Sequence, residues 1–349
     1  MKKVFFVTLV FALFFYTNCI FAGDPHHLRK DWYDEKKAGV PKEEITSLII
    51  TNDKTVYEDL PYWKLDNRGL VAFIRDGSQV VICFPEDDML KLERDAEACF
   101  SFCKYVKNED YELDENDERR HHVIPEDEID NEFYDTDLIS KLEYIEGLEL
   151  LNTKETTNMS RLFYGNLNLG EIDLSFMNTS NVENMQHMFD CCASLVNIDV
   201  STLDVSSVTK MNAMFRKCKQ LRSIDFSSWD VKNVYDMAFM MSGCENLRTI
   251  NWGTFNTQSV TSMAYMFQNC KRLPSLDLSF LNTNRLDSVR YMLKGCEDLK
   301  SLAISSRIGK FGRSLKLSGV WKNIFDNKVY NMDTDEDSVF NTGLYIKLN

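Results

Sequence analysis

The stretch VTSMAYMFQNCKRLPSLDLSF, Val260–Phe280, is written almost identically 52 residues earlier as VTKMNAMFRKCKQLRSIDFSS, Val208–Ser228. Sliding the chain against itself extends this pair into a period of 26 residues without a gap. Six copies cover residues 151–306 and begin at Leu151, Met177, Leu203, Trp229, Phe255 and Leu281. A repeat of this length predicts that one small structural unit is stacked several times.

Methionine and cysteine recur at fixed places in each copy. The cysteines are Cys192, Cys218, Cys244, Cys270 and Cys296, and the methionines are Met185, Met211, Met237 and Met263. Such side chains can bind Cu(I), but they also fill apolar cores. The first copy has Asn166 at the cysteine position, so the column is not a complete ligand set. We therefore interpret both columns as core filling and expect no metal site, no cofactor and mostly buried thiols, although disulfides remain an alternative.

Each copy carries two apolar patterns. LRSIDF, Leu221–Phe226, alternates as a strand does, with Ile224 and Phe226 facing inward and Ser223 and Asp225 outward. The run Val208–Cys218 has the apolar spacing of a short helix or 3₁₀ segment. One strand and one helical turn cannot bury a core alone. The sequence therefore predicts an α/β fold, a leucine-rich-repeat-like solenoid of 26-residue coils with a parallel strand ladder, capped at both ends.

The copy LDVSSVTKMNAMFRKCKQLRSIDFSS closely resembles the repeat of BspA-like leucine-rich-repeat surface proteins. IEGLELLNTKETTNM, Ile145–Met159, is similar to the segment that leads into the family's first coil, and LKLSGVWKNIFDNKVY to its closing segment. The resemblance implies an exported or surface-displayed binding protein, with adhesion among its roles and no known catalysis. The acidic insertion and Cys191 depart from the family pattern, so the resemblance does not identify a partner.

The segments outside the copies complete the predicted organisation. Residues 1–22 read as a signal peptide, because Lys2 and Lys3 precede an apolar run that is too short to span a membrane. Residues 23–108 are expected to form an α+β cap, with a hairpin over Leu70–Phe84 turning at Asp76–Gly77 and a helix over 87–106. Residues 109–140 form an acidic insertion that we expect to be disordered. The solenoid takes 141–306 and a β cap 307–349.

The charge of the chain is concentrated in one segment. The net charge is −14, yet fourteen Asp or Glu and only Arg119 and Arg120 lie between Glu109 and Asp137. The rest is nearly neutral and has no basic footprint, which argues against nucleic acid as a partner. Calcium binding by the acidic run is a weaker alternative to a solvated loop, since the run lacks the glycine and final carboxylate of an EF-hand loop.

Two rows of residues are candidate binding surfaces. The outward face of the predicted strands carries Asp173, Asp199, Asp225 and Asp277, with Asn251 in the fourth place. Such a row can bind a polar partner, or it can be a ladder without a ligand. The position between the two methionines is held by Arg161, His187, Ala213, Phe239, Tyr265 and Tyr291. Phe239, Tyr265 and Tyr291 are expected to form an aromatic stripe, which either marks a contact site or packs against neighbouring coils.

No nucleophile, zinc-protease or phosphate-loop motif is present. We therefore expect a secreted or cell-surface protein, not an enzyme, that binds a protein or glycan on another cell surface or matrix and has no membrane span after signal cleavage. Two alternatives remain at this stage. One is a secreted hydrolase that uses the Asp row, and the other is a structural envelope protein that assembles with itself.

Overall fold

The structure is a computed structural model of the chain. It describes residues 26–28, 32–33, 35–52, 62–65, 71–83, 90–92, 94–101, 104–105, 138–282, 284–334 and 341–348. The predicted signal peptide, residues 1–22, lies outside the described residues, as does the acidic insertion up to residue 137.

Strands in the described residues are short. They are β1 (His26–Leu28), β2 (Ser47–Thr51), β3 (Tyr62–Lys64), β4 (Val71–Arg75), β5 (Gln79–Cys83), β6 (Leu90–Leu92), β7 (Lys104–Tyr105), β8 (Leu138–Ile139), β9 (Tyr144–Glu146), β10 (Leu151–Asn152), β11 (Ser223–Asp225), β12 (Thr249–Asn251), β13 (Ser275–Leu278), β14 (Ser301–Ile304), β15 (Val320–Asn323), β16 (Val329–Asn331) and β17 (Gly343–Leu348). The α-helices are α1 (Glu35–Ala38) and α2 (Ser306–Gly309), and 3₁₀ turns cover Lys42–Glu44, Leu148–Leu150 and Gly312–Leu315.

These strands form five small sheets, and the predicted α/β solenoid with one parallel ladder is therefore wrong. The sheets have the orders β1-β6-β10, β3-β4-β5-β2-β9, β7-β8, β11-β12 and β13-β14-β17-β15-β16, and they mix parallel and antiparallel pairs. The ladder is interrupted because residues 171–174 and 197–200, the strand positions of the first two copies, are not strands. At the carboxyl end β17 runs antiparallel to both β14 and β15.

The segment between the two methionines and the cysteine is not a helix. Its backbone is a series of turns in which the residue two places after the first methionine has a positive φ, from Arg161 at 54° to Tyr265 at 59°. Tyr291, which follows Val289 in the last copy, has a φ of 53°. A second positive φ follows four residues later, for example at Cys191 and Lys217. Residues in the left-handed region interrupt a right-handed helix. The apolar spacing of three and four residues is met here by consecutive turns that point their side chains inward.

Hydrogen bonds join each copy to the next at equivalent positions. The N–H groups of Met159, Arg161, Phe163 and Gly165 donate to the carbonyls of Asn184, Gln186, Met188 and Asp190, at 2.9, 2.8, 3.0 and 2.8 Å. The same four bonds recur one copy later, from Met185, His187, Phe189 and Cys191. Parallel bridges follow the same column, from Asn158 through Asn184, Lys210, Asp236 and Ser262 to Ser288. The 26-residue copies are thus stacked in register, although few of their segments are regular strands.

One large apolar cluster runs along the stacked copies in the described residues. The rings of Phe163, Phe189 and Phe215 stack at centroid distances of 5.3 and 5.5 Å, with interplanar angles of 11° and 5°. The methionine and cysteine columns lie in the same core, and each of their members is buried. Their interpretation as core filling is confirmed for these residues, and it follows from the flexible shape of methionine and the small volume of cysteine.

Of the two elements predicted for the amino-terminal part, the hairpin is present and the helix is not. The hairpin is confirmed, since β4 pairs antiparallel with β5 across a turn at Asp76 and Gly77, both with positive φ. The helix predicted over 87–106 is wrong: it is replaced by β6, by turns over residues 97–100 and by β7. Asp95 bridges Asn158, and Phe100 lies 5.7 Å from Phe163 in a stacked arrangement. Residues 94–101 therefore add a partial copy to the stack, which the 26-residue period did not reveal.

Candidate functional site

The row of aspartates on the predicted strand face is exposed, and each member closes a turn. The carboxylates of Asp173, Asp199, Asp225 and Asp277 accept hydrogen bonds from the N–H groups of Ser175, Ser201, Ser227 and Ser279 at 2.8–2.9 Å. Such Asx turns explain why an aspartate and a serine recur at this spacing. Asn251 occupies the fourth place and donates to Asp225 at 3.1 Å. The row is brought together as predicted, but as a set of turn-forming groups.

The ionisation of this row is governed by its turns. Hydrogen bonds from the backbone and hydroxyl of the following serine hold the pKa of Asp173 and Asp199 below the usual value. Serine and Asn251 do the same for the pKa of Asp225. Repulsion between neighbouring carboxylates acts in the opposite direction at Asp173 and Asp199 but is weaker. A general acid needs a raised pKa, and these shifts have the opposite sign.

The aromatic stripe is brought together, but its members differ in access. Phe239 and Tyr265 stack at 4.5 Å with an angle of 4°, and Tyr291 meets Tyr265 edge-on at 5.4 Å. Tyr265 is 2% exposed, whereas Phe239 and Tyr291 are half-buried. Packing between neighbouring copies therefore accounts for Tyr265, and Tyr291 is the member that lies at the end of the stack.

Three cationic side chains surround the ring of Tyr291. Arg290 lies 5.0 Å, Lys294 5.2 Å and Lys316 5.9 Å from its centroid. Distances of up to about 6 Å allow attraction between a cation and the face of an aromatic ring. The cations come from the last copy and from the segment that follows it, so the ring joins two parts of the chain.

Each cysteine of the column has a structural partner. The thiols of Cys192, Cys218, Cys244, Cys270 and Cys296 donate to the carbonyls of Phe163, Phe189, Phe215, Met241 and Phe267 in the preceding copy, at 3.1–3.3 Å. Asn166 makes the equivalent bond to Phe100 at 2.8 Å. Burial raises the pKa of Cys218 and Cys270 well above normal and that of Cys296 to about 12. Burial therefore favours the protonated thiol over the thiolate at these positions.

A buried charge cluster, which the sequence analysis missed, lies between the second and third copies. Asp190 is fully buried, and its carboxylate accepts bonds from Arg216 Nε at 3.0 Å and from Nη2 at 2.9 Å. His187 Nδ1 lies 2.7 Å from the same carboxylate. Asp190 and Arg216 are 26 residues apart and thus adjacent in the stack. Opposite charges at that spacing were the sequence signal that could have identified the pair.

The charges of this cluster stabilise one another. Burial alone would raise the pKa of Asp190, but the Arg216 guanidinium and the His187 hydrogen bond lower it overall. Burial would lower the pKa of Arg216, and Asp190 raises it overall. The Asp190–Arg216 pair is therefore ionised within the core.

A histidine, an aspartate and a cysteine within five residues, His187–Cys191, suggest nucleophilic catalysis, but their geometry does not fit it. Cys191 Sγ donates to the Asp190 carboxylate at 3.4 Å, and the ion pair of that carboxylate with Arg216 makes it a weak base for the thiol proton. Burial, together with the neighbouring carboxylate, raises the pKa of Cys191 well above its usual value. The cluster is suited to holding two copies together.

Searches of the described residues gave two further findings. No set of three or more histidine, cysteine, aspartate or glutamate side chains in the described ranges is arranged to hold a metal ion. Across the same ranges, no helix has both the length and the apolar character to cross a membrane.

The connection between β15 and β16 displays apolar side chains. Phe325 is 72%, Ile324 48% and Val329 49% exposed. We call these three residues the hairpin tip. Its backbone is held by Asn323, which accepts a bond from the Phe325 N–H at 2.9 Å, and by Asp326, which accepts one from the Lys328 N–H at 2.9 Å. Asn341 also donates to Asp326 at 3.0 Å. The hairpin tip is therefore displayed by an ordered loop.

Comparison with known proteins places the repeats in one family. Residues 128–252 and 217–305 match the family DUF285, described as a Mycoplasma protein of unknown function. The two matches overlap and together span 128–305, slightly more than half of the chain. Searches of curated proteins and of solved structures gave no match. The chain therefore belongs to the DUF285 family.

Proposed function

We propose that this protein is exported or displayed on a cell surface and that it works by binding a protein or glycan of a host or neighbouring cell. Its resemblance to BspA-like surface proteins supports this proposal, and so does the apolar run that precedes the folded part. The observation that carries it is the hairpin tip, where one short hairpin exposes three apolar side chains to solvent.

Display of these side chains to water is unfavourable unless a partner covers them. Burying one large apolar side chain contributes roughly 1.5–3 kcal/mol. The loop that carries Ile324 and Phe325 is already ordered by Asn323 and Asp326. A preordered loop loses little conformational entropy when it binds, which improves affinity. Several exposed apolar groups on one ordered hairpin are typical of contact sites.

Catalysis by the Asp row has less support. Its carboxylates close turns, and the pKa values of Asp173, Asp199 and Asp225 are lowered. The cysteines donate to backbone carbonyls, and Asp190 is held by Arg216. The carboxylates and thiols named above thus have structural partners within the protein. The side chains of the hairpin tip, by contrast, are exposed to solvent.

Binding can be tested with labelled protein on intact cells and on a glycan array. We expect retention above that of a control with a scrambled surface, and about tenfold or greater loss for a variant with Ile324→Ser and Phe325→Ser, from the burial energy above. Phe176→Ser is the matched control, because Phe176 is 60% exposed and its equivalents in the next copies are Thr202 and Ser228. No retention of the natural chain, or equal loss for both variants, would contradict the proposal.

A further inference from the structure

The second copy of the stack begins with a sequence that fits a modification of asparagine. Asn-Thr-Ser at residues 178–180 is one of the two Asn-x-Ser/Thr sequences of the chain, and Asn-Met-Ser at residues 158–160 is the other. Enzymes that attach a glycan to the side-chain nitrogen of asparagine require this spacing of amide and hydroxyl. The two sequences lie in different surroundings, so the structure distinguishes between them.

The side chain of Asn178 is exposed, and its backbone is held in place. The Thr153 hydroxyl bonds to both the N–H and the carbonyl of Asn178, each at 2.8 Å. Asn178 Oδ1 accepts hydrogen bonds from the Ser180 N–H at 3.1 Å and from the Ser180 hydroxyl at 2.8 Å. Its Nδ2 atom makes no hydrogen bond to any residue that the structure describes. The nitrogen that would carry a glycan is therefore accessible, while the oxygen and the backbone are engaged.

An exposed aromatic ring lies two residues before this asparagine. Phe176 is 60% exposed, Met177 is buried and Asn178 is exposed, so the two outer side chains face away from the core. The residues equivalent to Phe176 in the next three copies are Thr202, Ser228 and Thr254. The apolar C–H face of a sugar attached at Asn178 can cover the ring and remove it from water, which is favourable.

Asn158 lies in a different setting. It is half-buried, and its Nδ2 atom donates to the Asp95 carboxylate at 2.8 Å, which joins residues 94–101 to the first copy. Ser160, whose hydroxyl completes the sequence, is 3% exposed. A sugar on this nitrogen would intrude between two stacked segments. We therefore expect no glycan at Asn158 in the folded chain.

We propose that Asn178 is a site of N-linked glycosylation and that Phe176 packs against the first sugar. In this reaction Nδ2 of Asn178 attacks the anomeric carbon of an oligosaccharide that is linked to a lipid diphosphate. A carbon–nitrogen bond forms, and the bond from that carbon to the diphosphate oxygen breaks. The lipid diphosphate leaves with the electron pair, and the amide loses a proton to a carboxylate of the transferase. The inference rests on the export part of the proposed function, because such transferases act on exported chains.

The assignment is tested on the full chain isolated from the cells that naturally produce it. Peptide N-glycosidase releases the glycan and converts the glycosylated asparagine to aspartate, which mass spectrometry of the peptides detects. We expect this conversion at Asn178 and not at Asn158. An exported chain without a glycan on Asn178, or with equal use of both asparagines, would overturn the inference and leave the binding proposal standing. A chain that is not exported would remove both the export and the site.

The role of Phe176 is tested on chains secreted from eukaryotic cells that perform N-linked glycosylation. We expect the glycan to raise the thermal unfolding midpoint relative to the same chain made in a bacterium that lacks the transferase. Phe176→Ser should remove this rise, because the ring no longer packs against the sugar. The matched control, Phe280→Ser, removes another exposed ring and should retain the rise. An equal rise for both variants would contradict the packing of Phe176 against the glycan.

Discussion

The carboxylate of Asp190 shows how one residue connects two copies. It is fully buried and lies against Arg216 of the next copy, with His187 and Cys191 on the same group. Replacing Asp190 by Asn leaves the Arg216 charge without its counter-charge. We predict that Asp190→Asn lowers the free energy of unfolding by about 3–5 kcal/mol, measured by denaturant titration.

A second variant separates the charge from the packing. Asp190→Ser combined with Arg216→Gln introduces two uncharged residues, of the kinds found in the same column at Ser242 and Gln268. This double variant should lose less free energy of unfolding than Asp190→Asn alone, because no buried charge remains unpaired. A double variant that is the less stable of the two would contradict this account.

The pH dependence of the cluster has a definite sign. The pKa of Asp190 is lower in the folded chain than its ordinary value of about 3.9. Its stabilising contribution is therefore complete above that ordinary value and is lost as pH falls through the lower folded value. The turn-forming Asp173, Asp199 and Asp225 have shifts in the same direction, so they also favour folding above the acid range.

At the scale of the element, the turn that contains Lys217 has a backbone that favours glycine. Lys217 has a φ of 59°, and the equivalent residues Gly165, Gly243 and Gly295 also have positive φ. Lys217→Gly should therefore raise the free energy of unfolding by about 0.5–1 kcal/mol. The matched control is Lys219→Gly two residues later, which is exposed and lies outside the positive-φ positions.

We expect the control, Lys219→Gly, to lower the free energy of unfolding, because glycine at an ordinary backbone position adds conformational freedom to the unfolded chain. Denaturant midpoints of the two variants check this pair of expectations. A loss of stability for Lys217→Gly as large as that for Lys219→Gly would mean that the left-handed turn is not present.

The sequence predicted which residues lie next to one another better than it predicted the backbone conformation of the segments that carry them. The spacing of 26 residues identified which side chains lie over one another, because equivalent positions of a gapless repeat are stacked. The pattern at Asp76–Gly77 identified a hairpin, because a tight turn depends on its own residues. The turns at Arg161 and Tyr291 were read as helical, since apolar spacing records which side chains face inward and not the sign of φ. Residues 94–101 were missed because their spacing to the first copy is 63 residues, not 26.

The candidate sites show the same limit. Spacing brought Phe239, Tyr265 and Tyr291 together, but it could not show that Tyr265 is buried and that Tyr291 has three cations around it. The Asp row was correctly aligned, yet the bonds that each carboxylate makes to the serine two residues later became evident from geometry. Contacts made by lone members of a column, such as Asp190, are the least visible in a repeat pattern.

For the whole molecule, stacking in register is the central claim. Neighbouring copies share backbone hydrogen bonds, thiol–carbonyl bonds and ring stacks, all between equivalent positions. Stability in such an arrangement depends mainly on contacts between adjacent copies. Removing one whole copy should therefore leave its two neighbours able to pack against each other.

The most direct measurement compares two deletions by circular dichroism and thermal unfolding. Deleting residues 229–254, one whole copy, places Phe255 where Trp229 was and keeps every column in register. We predict that this shortened chain folds with a single cooperative transition, whereas deleting 13 residues, 229–241, abolishes cooperative unfolding. If both chains unfold alike, or if the 26-residue deletion is the more damaging, the copies are not stacked in register and the account is contradicted.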